Sequence, residues 1–462
     1  MTLPVFHADS AVPSWGERPQ LVAWTTAFDA PDPFALLRVA VGAPRLYWRD
    51  PTSCVTVVGL GAAATLRADG LMRTARLQLQ MDHLFEDAIL EFEVPEAVSP
   101  RLFGGYSFTP SPEADPFWTD FGPACFVLPH LTITYAPTGT WLTVCRYEDS
   151  DGGPAARIQK LQEEAEAFHA ALADLPAAVE GVAPNWRLVP AISREDWREM
   201  VTQAVTRIRG GVLRKVVLSR SIEALAEGPF DPVSSLQRLS AQYPDTFCFL
   251  FEPVGGTAFF GASPELLAEV HESVLTTAAL AGSRRRGRTD EEDEALAAEL
   301  MTSAKEREEH QIVVESILAR VTPYARHVDA PDVPGILRLP NIQHLHTPVR
   351  AELETHFDAL DLVGELHPTP AMGGYPARAA IAAIGELEPV ERGWFASPFG
   401  WVDADGNGVF AVAIRSAVAQ RGRVRLYAGA GIVADSIPDQ EWDETGLKFR
   451  PLLGALSAED KA

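Results

Sequence analysis

The chain is poor in basic residues, nearly devoid of cysteine, and lacks any long apolar run. Lys and Arg number 39 against 63 Asp and Glu, a formal net charge of −24. A basic field is what displaces counterions from nucleic acid or from an anionic membrane surface, so this balance argues against both as partners. It also repels an anionic substrate. Such a substrate would need local cations or a metal, which can prevail over the global charge because the screening length at cellular salt is about 8 Å. No stretch approaches the ~20 uninterrupted apolar residues of a membrane span. The opening residues, Met1 to Asp9, lack the basic and apolar regions of a signal peptide, so a cytoplasmic location is expected. Cys54, Cys125, Cys145 and Cys248 have no metal-like spacing, and Cys248 sits in the apolar run Phe247 to Phe251. Buried free thiols are expected, with neither a disulfide framework nor zinc or redox chemistry.

There is no internal repeat and no low-complexity tail. The 462 residues allow two or three domains or one large unit. Residues 1 to about 150 alternate short apolar runs with Gly and Pro and read as mostly β structure. A helix is expected from 155 to about 179 and a connector at 184–190. From 193 onward, helical patterns at 193–209, 290–321 and 439–457 alternate with strands at 213–220, 247–252, 257–260 and 409–417. Every candidate chemical group falls in this second part.

Two motif matches fail on context. Gly59-Leu60-Gly61 follows an apparent strand, but what comes next reads as another short strand and turn, not as a helix that would receive a pyrophosphate. Asp403 to Gly408 imitates the start of a calcium loop, yet Ile414 stands where a bidentate Glu is required. A hairpin turn through Asn407-Gly408 explains the segment.

Lys215 interrupts an otherwise apolar strand pattern, Leu213 to Ser219. Its ordinary explanation is a strand-edge lysine with its ammonium in water. Glu265, between an apolar strand and a further apolar run, could cap a short helix at Pro264. If both are desolvated, their pKa values move toward neutrality from opposite sides, as suits a base and an acid. Glu309 borders the apolar face of its helix, and Glu441, Glu444 and Lys448 share one face of the last helix. They supply either an ordinary exposed Glu–Lys pair or, with Glu309, a pair of carboxylates from two distant helices converging on Mg²⁺. Arg415 in an apolar strand pattern suits a bound carboxylate, and the small residues from Tyr427 to Val433 would admit backbone contacts to the same ligand. An internal salt bridge and a tight bend explain these two features equally well.

Taken in order, Lys215-Val216-Val217-Leu218-Ser219-Arg220, Gly261-Ala262-Ser263-Pro264-Glu265, Leu280-Ala281-Gly282, Glu309-His310, His367-Pro368-Thr369-Pro370-Ala371, Ala413-Ile414-Arg415-Ser416-Ala417, Ala428 to Val433 and Glu441-Trp442-Asp443-Glu444-Thr445 resemble the chorismate-utilising enzymes. The series spans about residues 195 to 455. The resemblance implies a single large α+β domain with two antiparallel β-sheets sandwiched between helical layers. Residues 1–190 would be the mostly β portion of that fold and 191–458 its chorismate-binding catalytic portion.

Within the family, anthranilate-forming members typically carry glutamine at the position of Lys215, and aminodeoxychorismate enzymes a lysine at that of Ala281. A lysine at 215 resembles the water-activating members, and Leu366 to Gly374 with Gln343 to Pro348 are similar to isochorismate synthases, most of all the menaquinone-pathway type. The implied reaction adds water at C2 of chorismate while the C4 hydroxyl leaves. Lys215 would be the base and Glu265 the acid. Glu309, Glu444 and Glu441 would ligate Mg²⁺. Arg415 and Tyr427 would hold the enolpyruvyl carboxylate, Gly429 and Gly431 would add backbone contacts, and His344 and Lys448 would line the pocket. Neither a glutaminase subunit nor a membrane or nucleic-acid partner is implied. The alternatives are a salicylate synthase, a siderophore-pathway isochorismate synthase, or an inactive chorismate-binding relative.

Overall fold

The structure, a computed structural model, describes residues 19–92, 99–148, 153–172, 184–228, 230–338, 342–354 and 357–457. Its strands form one sheet of 13 and one of 10. The strand pairs are antiparallel except Gln20–Ala27 with Ile89–Phe92, which run parallel. Residues before 150 supply strands to both sheets, among them Arg45–Asp50 and Val55–Leu60 in the larger, and Arg101–Tyr106 and Ala124–Leu128 in the smaller.

Side-chain pattern explains the layering. Phe247–Glu252 is buried at every position because it lies inside the larger sheet with both faces covered. Ile342–Leu353 alternates strictly, the period of a strand with one face inward. One core lies between the sheets and includes Trp48, Phe249, Phe259, Trp394 and Phe399, closed off by the helices Arg194–Arg209 and Ala377–Leu387. Phe249 and Phe399 bring their ring centroids within 4.8 Å across the layer. Such pairs add about 0.5–1.5 kcal/mol beyond area burial. The outer face of the larger sheet is covered by helices Pro33–Val39, Pro154–Leu172, Pro232–Gln242 and Pro438–Leu456. Arg73–Phe85, Ala304–Val321 and Ala359–Leu366 cover the outer face of the smaller.

Several elements differ from the sequence reading. The pattern at 290–321 is two helices, Asp290–Thr302 and Ala304–Val321, because the Ser303 side chain accepts from the Glu306 amide and starts a new helix there. The presumed connector contains a strand, Trp186–Pro190, which pairs with Lys215–Ala226. The expected helix from 155 is Pro154–Leu172, and its remainder lies outside the described residues, as does the N-terminal segment read for targeting. Of the cysteines, Cys54 is exposed on a turn, whereas the other three are buried. The Asn407-Gly408 turn joins Pro398–Asp403 to Gly408–Val412, with the Asp403 carboxylate accepting from the amides of Asp405 and Asn407. Among the described residues, no helix is long and apolar enough to cross a membrane.

The run 409–417 is not one strand. Gly408–Val412 belongs to the smaller sheet and Ser416–Gln420 to the larger, so Ala413 to Arg415 carry the chain from one sheet to the other. Beside it, Thr257–Ser263 in the larger sheet passes through Pro264-Glu265 into Leu266–His271 in the smaller. The two crossings are tied together: the Ala262 amide donates to the Arg415 carbonyl at 3.1 Å, and the Val412 amide to the Glu265 carbonyl at 2.9 Å. A Cβ on Gly261 would stand 2.7 Å from the Arg415 carbonyl oxygen, so the close approach requires glycine.

Candidate active site

A cleft of about 920 Å³, counting its open mouth, lies where these crossings separate the sheets. Lys215, Glu265, Glu309, His344, Arg415, Tyr427, Gly429, Gly431, Glu444 and Lys448 all border it. Of the residues singled out in the sequence, Glu441 alone does not line it; it stands one helical turn before Glu444.

Lys215 opens the strand Lys215–Ala226, and its Nζ donates to Glu309 Oε1 at 2.6 Å from a side chain only 3% exposed. It is not a strand-edge lysine in water. Gly431 on the neighbouring strand makes room for this pair, since a Cβ there would lie 3.1 Å from Lys215 Cε and 3.3 Å from Glu309 Oε1.

Glu265 caps no helix. It sits in the crossing, buried, where desolvation raises its pKa to about 7 against the opposing pull of Lys215, Lys448 and Arg415. Near neutral pH it is therefore part protonated, the state a proton donor needs. Arg415 adopts a positive φ of 51° in the other crossing, and among the described residues its Nη1 reaches only the Lys448 carbonyl, at 3.4 Å. Burial lowers its pKa. Among the described residues it makes no ion pair, in contrast to Lys215 with Glu309, Lys448 with Glu444 and Arg392 with Glu388. A desolvated guanidinium without a carboxylate is suited to an anion from outside.

On helix Pro438–Leu456, Lys448 Nζ lies 2.7 Å from Glu444 Oε1 and donates to the Gly429 carbonyl at 2.8 Å. The Lys448 charge holds the Glu444 carboxyl below its usual pKa. Glu441 moves the other way, to about 7, because burial and the Glu444 charge outweigh its Ser436 hydrogen bond. Among the described residues, no three His, Cys, Asp or Glu side chains group closely enough to hold a metal unaided. Glu309 and Glu444, carboxylates from two helices at one cleft, fit Mg²⁺, a hard cation that completes its shell with substrate oxygens and water.

The wall beside Lys215 is shaped by a bulge. Val274–Arg285 shifts register against Ile342–Leu353 between Ala281 and Ser283, where Gly282 has φ +77°. The bulge sets Ser283 Oγ 2.8 Å from His344 Nδ1. Burial, with Lys448 and Arg415 nearby, lowers the His344 pKa to about 4, so the ring is neutral. Tyr427 stacks on Phe395 at 5.0 Å; its hydroxyl accepts from Trp118 Nε1 and donates to the Glu391 carbonyl. It therefore presents its ring, more than its hydroxyl, to the cleft.

Arg392 borders the cleft without having been singled out. Arg392 donates to Glu388, to the Val217 carbonyl and to the Met372 carbonyl, while Glu388 accepts from the Ser219 amide and hydroxyl. The only signal in the sequence is an arginine next to Gly393-Trp394-Phe395.

The sequence pattern of the family described as "Chorismate binding enzyme" matches residues 9–457. The salicylate biosynthesis isochorismate synthase of Pseudomonas aeruginosa is 37% identical over 454 residues, 96% of this chain and 91% of that protein. Isochorismate synthase MenF of Bacillus subtilis is 33% identical over 451 residues, 95% of this chain and 94% of that one. Among solved structures, the menaquinone-specific isochorismate synthase MenF of Escherichia coli superposes with a TM-score of 0.80 at 27% identity, covering 96% of both chains. With its sheets, its cleft and a match over nearly its whole length, the chain belongs to the chorismate-binding enzyme family.

Proposed function

We propose that this chain is an isochorismate synthase, converting chorismate to isochorismate with Mg²⁺ and with no second subunit. The observation that carries the reading is the pairing, in one cleft, of a buried lysine with a buried carboxyl poised near pH 7, Lys215 and Glu265. Relatives named isochorismate synthase, similar from end to end, support it.

In this reading Lys215 takes a proton from the water that bonds to C2, and Glu265 gives one to the C4 oxygen as its bond to carbon breaks. One hydroxyl arrives and one leaves, so the product is an isomer. The Arg415 guanidinium receives the enolpyruvyl carboxylate against the Tyr427 ring, with Gly429 and Gly431 leaving the backbone open to the ligand. His344 and Lys448 border the ring. Glu309 and Glu444 would hold Mg²⁺, with Glu441 one turn behind. The ion would neutralise the ring carboxylate. Lys215, held beside Glu309 at the cleft, is the lysine this reading assigns to the attacking water.

We also place the product in menaquinone biosynthesis, supported by the similarity to the menaquinone-specific Escherichia coli enzyme. Restoring menaquinone to a strain without isochorismate synthases would test that placement.

The activity is tested by incubating the purified protein with chorismate and Mg²⁺, without ammonia, and separating products by chromatography with mass detection. Isochorismate alone is expected. Salicylate with pyruvate, or unchanged chorismate, overturns the assignment.

A further inference from the structure

Strand alternation turns Arg220 to the face opposite Lys215 and Val217, away from the cleft and onto helix Pro438–Leu456. Its guanidinium lies 3.7 Å from the Trp442 ring centroid and 4.9 Å from that of Phe449. Nε donates to Thr445 Oγ1 at 2.8 Å, and Nη2 to the Trp442 carbonyl at 3.3 Å. Thr445 Oγ1 in turn donates to that same carbonyl. Arg220 is 7% exposed and Thr445 fully buried. Among the described residues, no carboxylate pairs with Arg220, so a charge is desolvated here without an ion pair to compensate it.

Packing alone would be served by an apolar side chain. What the planar fork adds is direction: two donors and a stacked face fix the helix about its own axis. Trp442, Thr445 and Phe449 form one stripe of the helix, and Glu441, Glu444 and Lys448 the adjacent stripe. Arg220 stands five residues beyond Lys215 on one strand, so a single rigid element joins the lysine to the grip on the helix.

We infer that Arg220 is a positioning residue: by fixing the rotation of helix Pro438–Leu456 against strand Lys215–Ala226, it sets where Glu444 stands relative to Glu309 and thereby the affinity of the cleft for a divalent cation. This rests on the reading of the cleft as an Mg²⁺-dependent chorismate site.

The test compares wild type with Arg220→Met, Arg220→Lys and Thr445→Val. Bound Mn²⁺ is counted by electron paramagnetic resonance with chorismate present, and turnover is followed against Mg²⁺ concentration. Circular dichroism and thermal melting identify the folded variants. Arg220→Met is expected to weaken Mn²⁺ binding and raise the half-saturating Mg²⁺ by about 10-fold or more, as loss of an outer-shell support does. At saturating Mg²⁺ its kcat should return to within about threefold of wild type, since no residue that touches substrate has been replaced and the bound ion draws Glu444, with its helix, back into place. Arg220→Lys, which can reach one acceptor but cannot form the fork, should fall between the two. Thr445→Val should shift Mn²⁺ binding in the same direction by about threefold through loss of one hydrogen bond. If Arg220→Met does not fold, the other two variants carry the test. Folded variants that bind Mn²⁺ like wild type, or lose kcat equally at every Mg²⁺ concentration, overturn the inference while leaving the cleft's function standing. A wild-type protein that neither binds Mn²⁺ nor turns over chorismate removes the underlying reading itself.

Discussion

Lys215 and Glu309 meet through a 2.6 Å contact between side chains that are 3% and 16% exposed, so one residue proposed as base and one proposed as metal ligand occupy each other in the cleft. The pair explains how a lysine is accommodated at the start of a buried strand: its charge is compensated from the facing helix. If Glu309 holds Mg²⁺ as proposed, the cation would compete with the ammonium for it.

Lys215→Met is therefore expected to have two opposite effects. Turnover should fall by at least about 100-fold, the low end of what a positioned base contributes. Mn²⁺ should bind no more weakly than to wild type, since Glu309 loses a competitor. Activity close to wild type would remove Lys215 from the chemistry, and a loss of Mn²⁺ binding would remove Glu309 from the metal site.

Glu265 links activity to stability with a definite sign. Its folded pKa is about 7 against an ordinary 4.5. Between those values the folded chain keeps a proton that the unfolded chain has released, so stability falls as pH rises through this window and stays lower above it. That difference corresponds to roughly 3 kcal/mol. Glu265→Gln should therefore melt higher than wild type at pH 8, with a much smaller difference at pH 4.5, and should lose turnover by about 100-fold or more. A variant less stable than wild type at pH 8 would contradict the buried, charge-averse environment.

How far the sequence carried depended on whether a residue lay on a periodic element. Lys215 was legible because it breaks the apolar pattern of a strand, and Glu444 and Lys448 because helical spacing puts them on one face. Arg415 was placed in a strand because Phe410 to Ala417 is apolar on both sides of it; the run is continuous only because its two halves enter different sheets. Glu265 lies in the neighbouring crossing, and no local pattern distinguishes a sheet-to-sheet crossing from a helix start at Pro264. Arg392 and Glu388 escaped notice because both stand in connecting segments, where neither period applies, and their contacts to Val217, Met372 and Ser219 are remote in sequence.

That overlooked pair supplies its own prediction. The Arg392 and Glu388 side chains are 2% and 3% exposed. Glu388→Gln keeps the volume but leaves the guanidinium without a compensating charge, which should cost about 3–5 kcal/mol in urea unfolding. Replacing both residues with methionine should cost less than Glu388→Gln alone, because no charge is left buried. The reverse order would show that the backbone contacts of Arg392, not its charge balance, hold this wall of the cleft.

Acid should destabilise the fold through a half-buried histidine, His367, that does not line the cleft. His367 donates from Nε2 to the Phe108 carbonyl at 3.0 Å, and burial, reinforced by the charges of Arg73, Arg320 and Arg392, lowers its pKa from 6.5 to about 3. Its neutral form is the folded one. As pH falls below 6.5 the unfolded chain gains a proton that the folded chain refuses, so stability is complete above that value and is lost progressively toward pH 3. By pH 4 the loss from this residue amounts to roughly 3 kcal/mol. His367→Gln keeps a donor for the Phe108 carbonyl but cannot titrate. Urea unfolding of the two proteins at pH 7 and pH 4.5 should show a smaller decline for the variant, whatever its stability at pH 7. Equal declines would mean that His367 is protonated in the fold and that acid acts elsewhere.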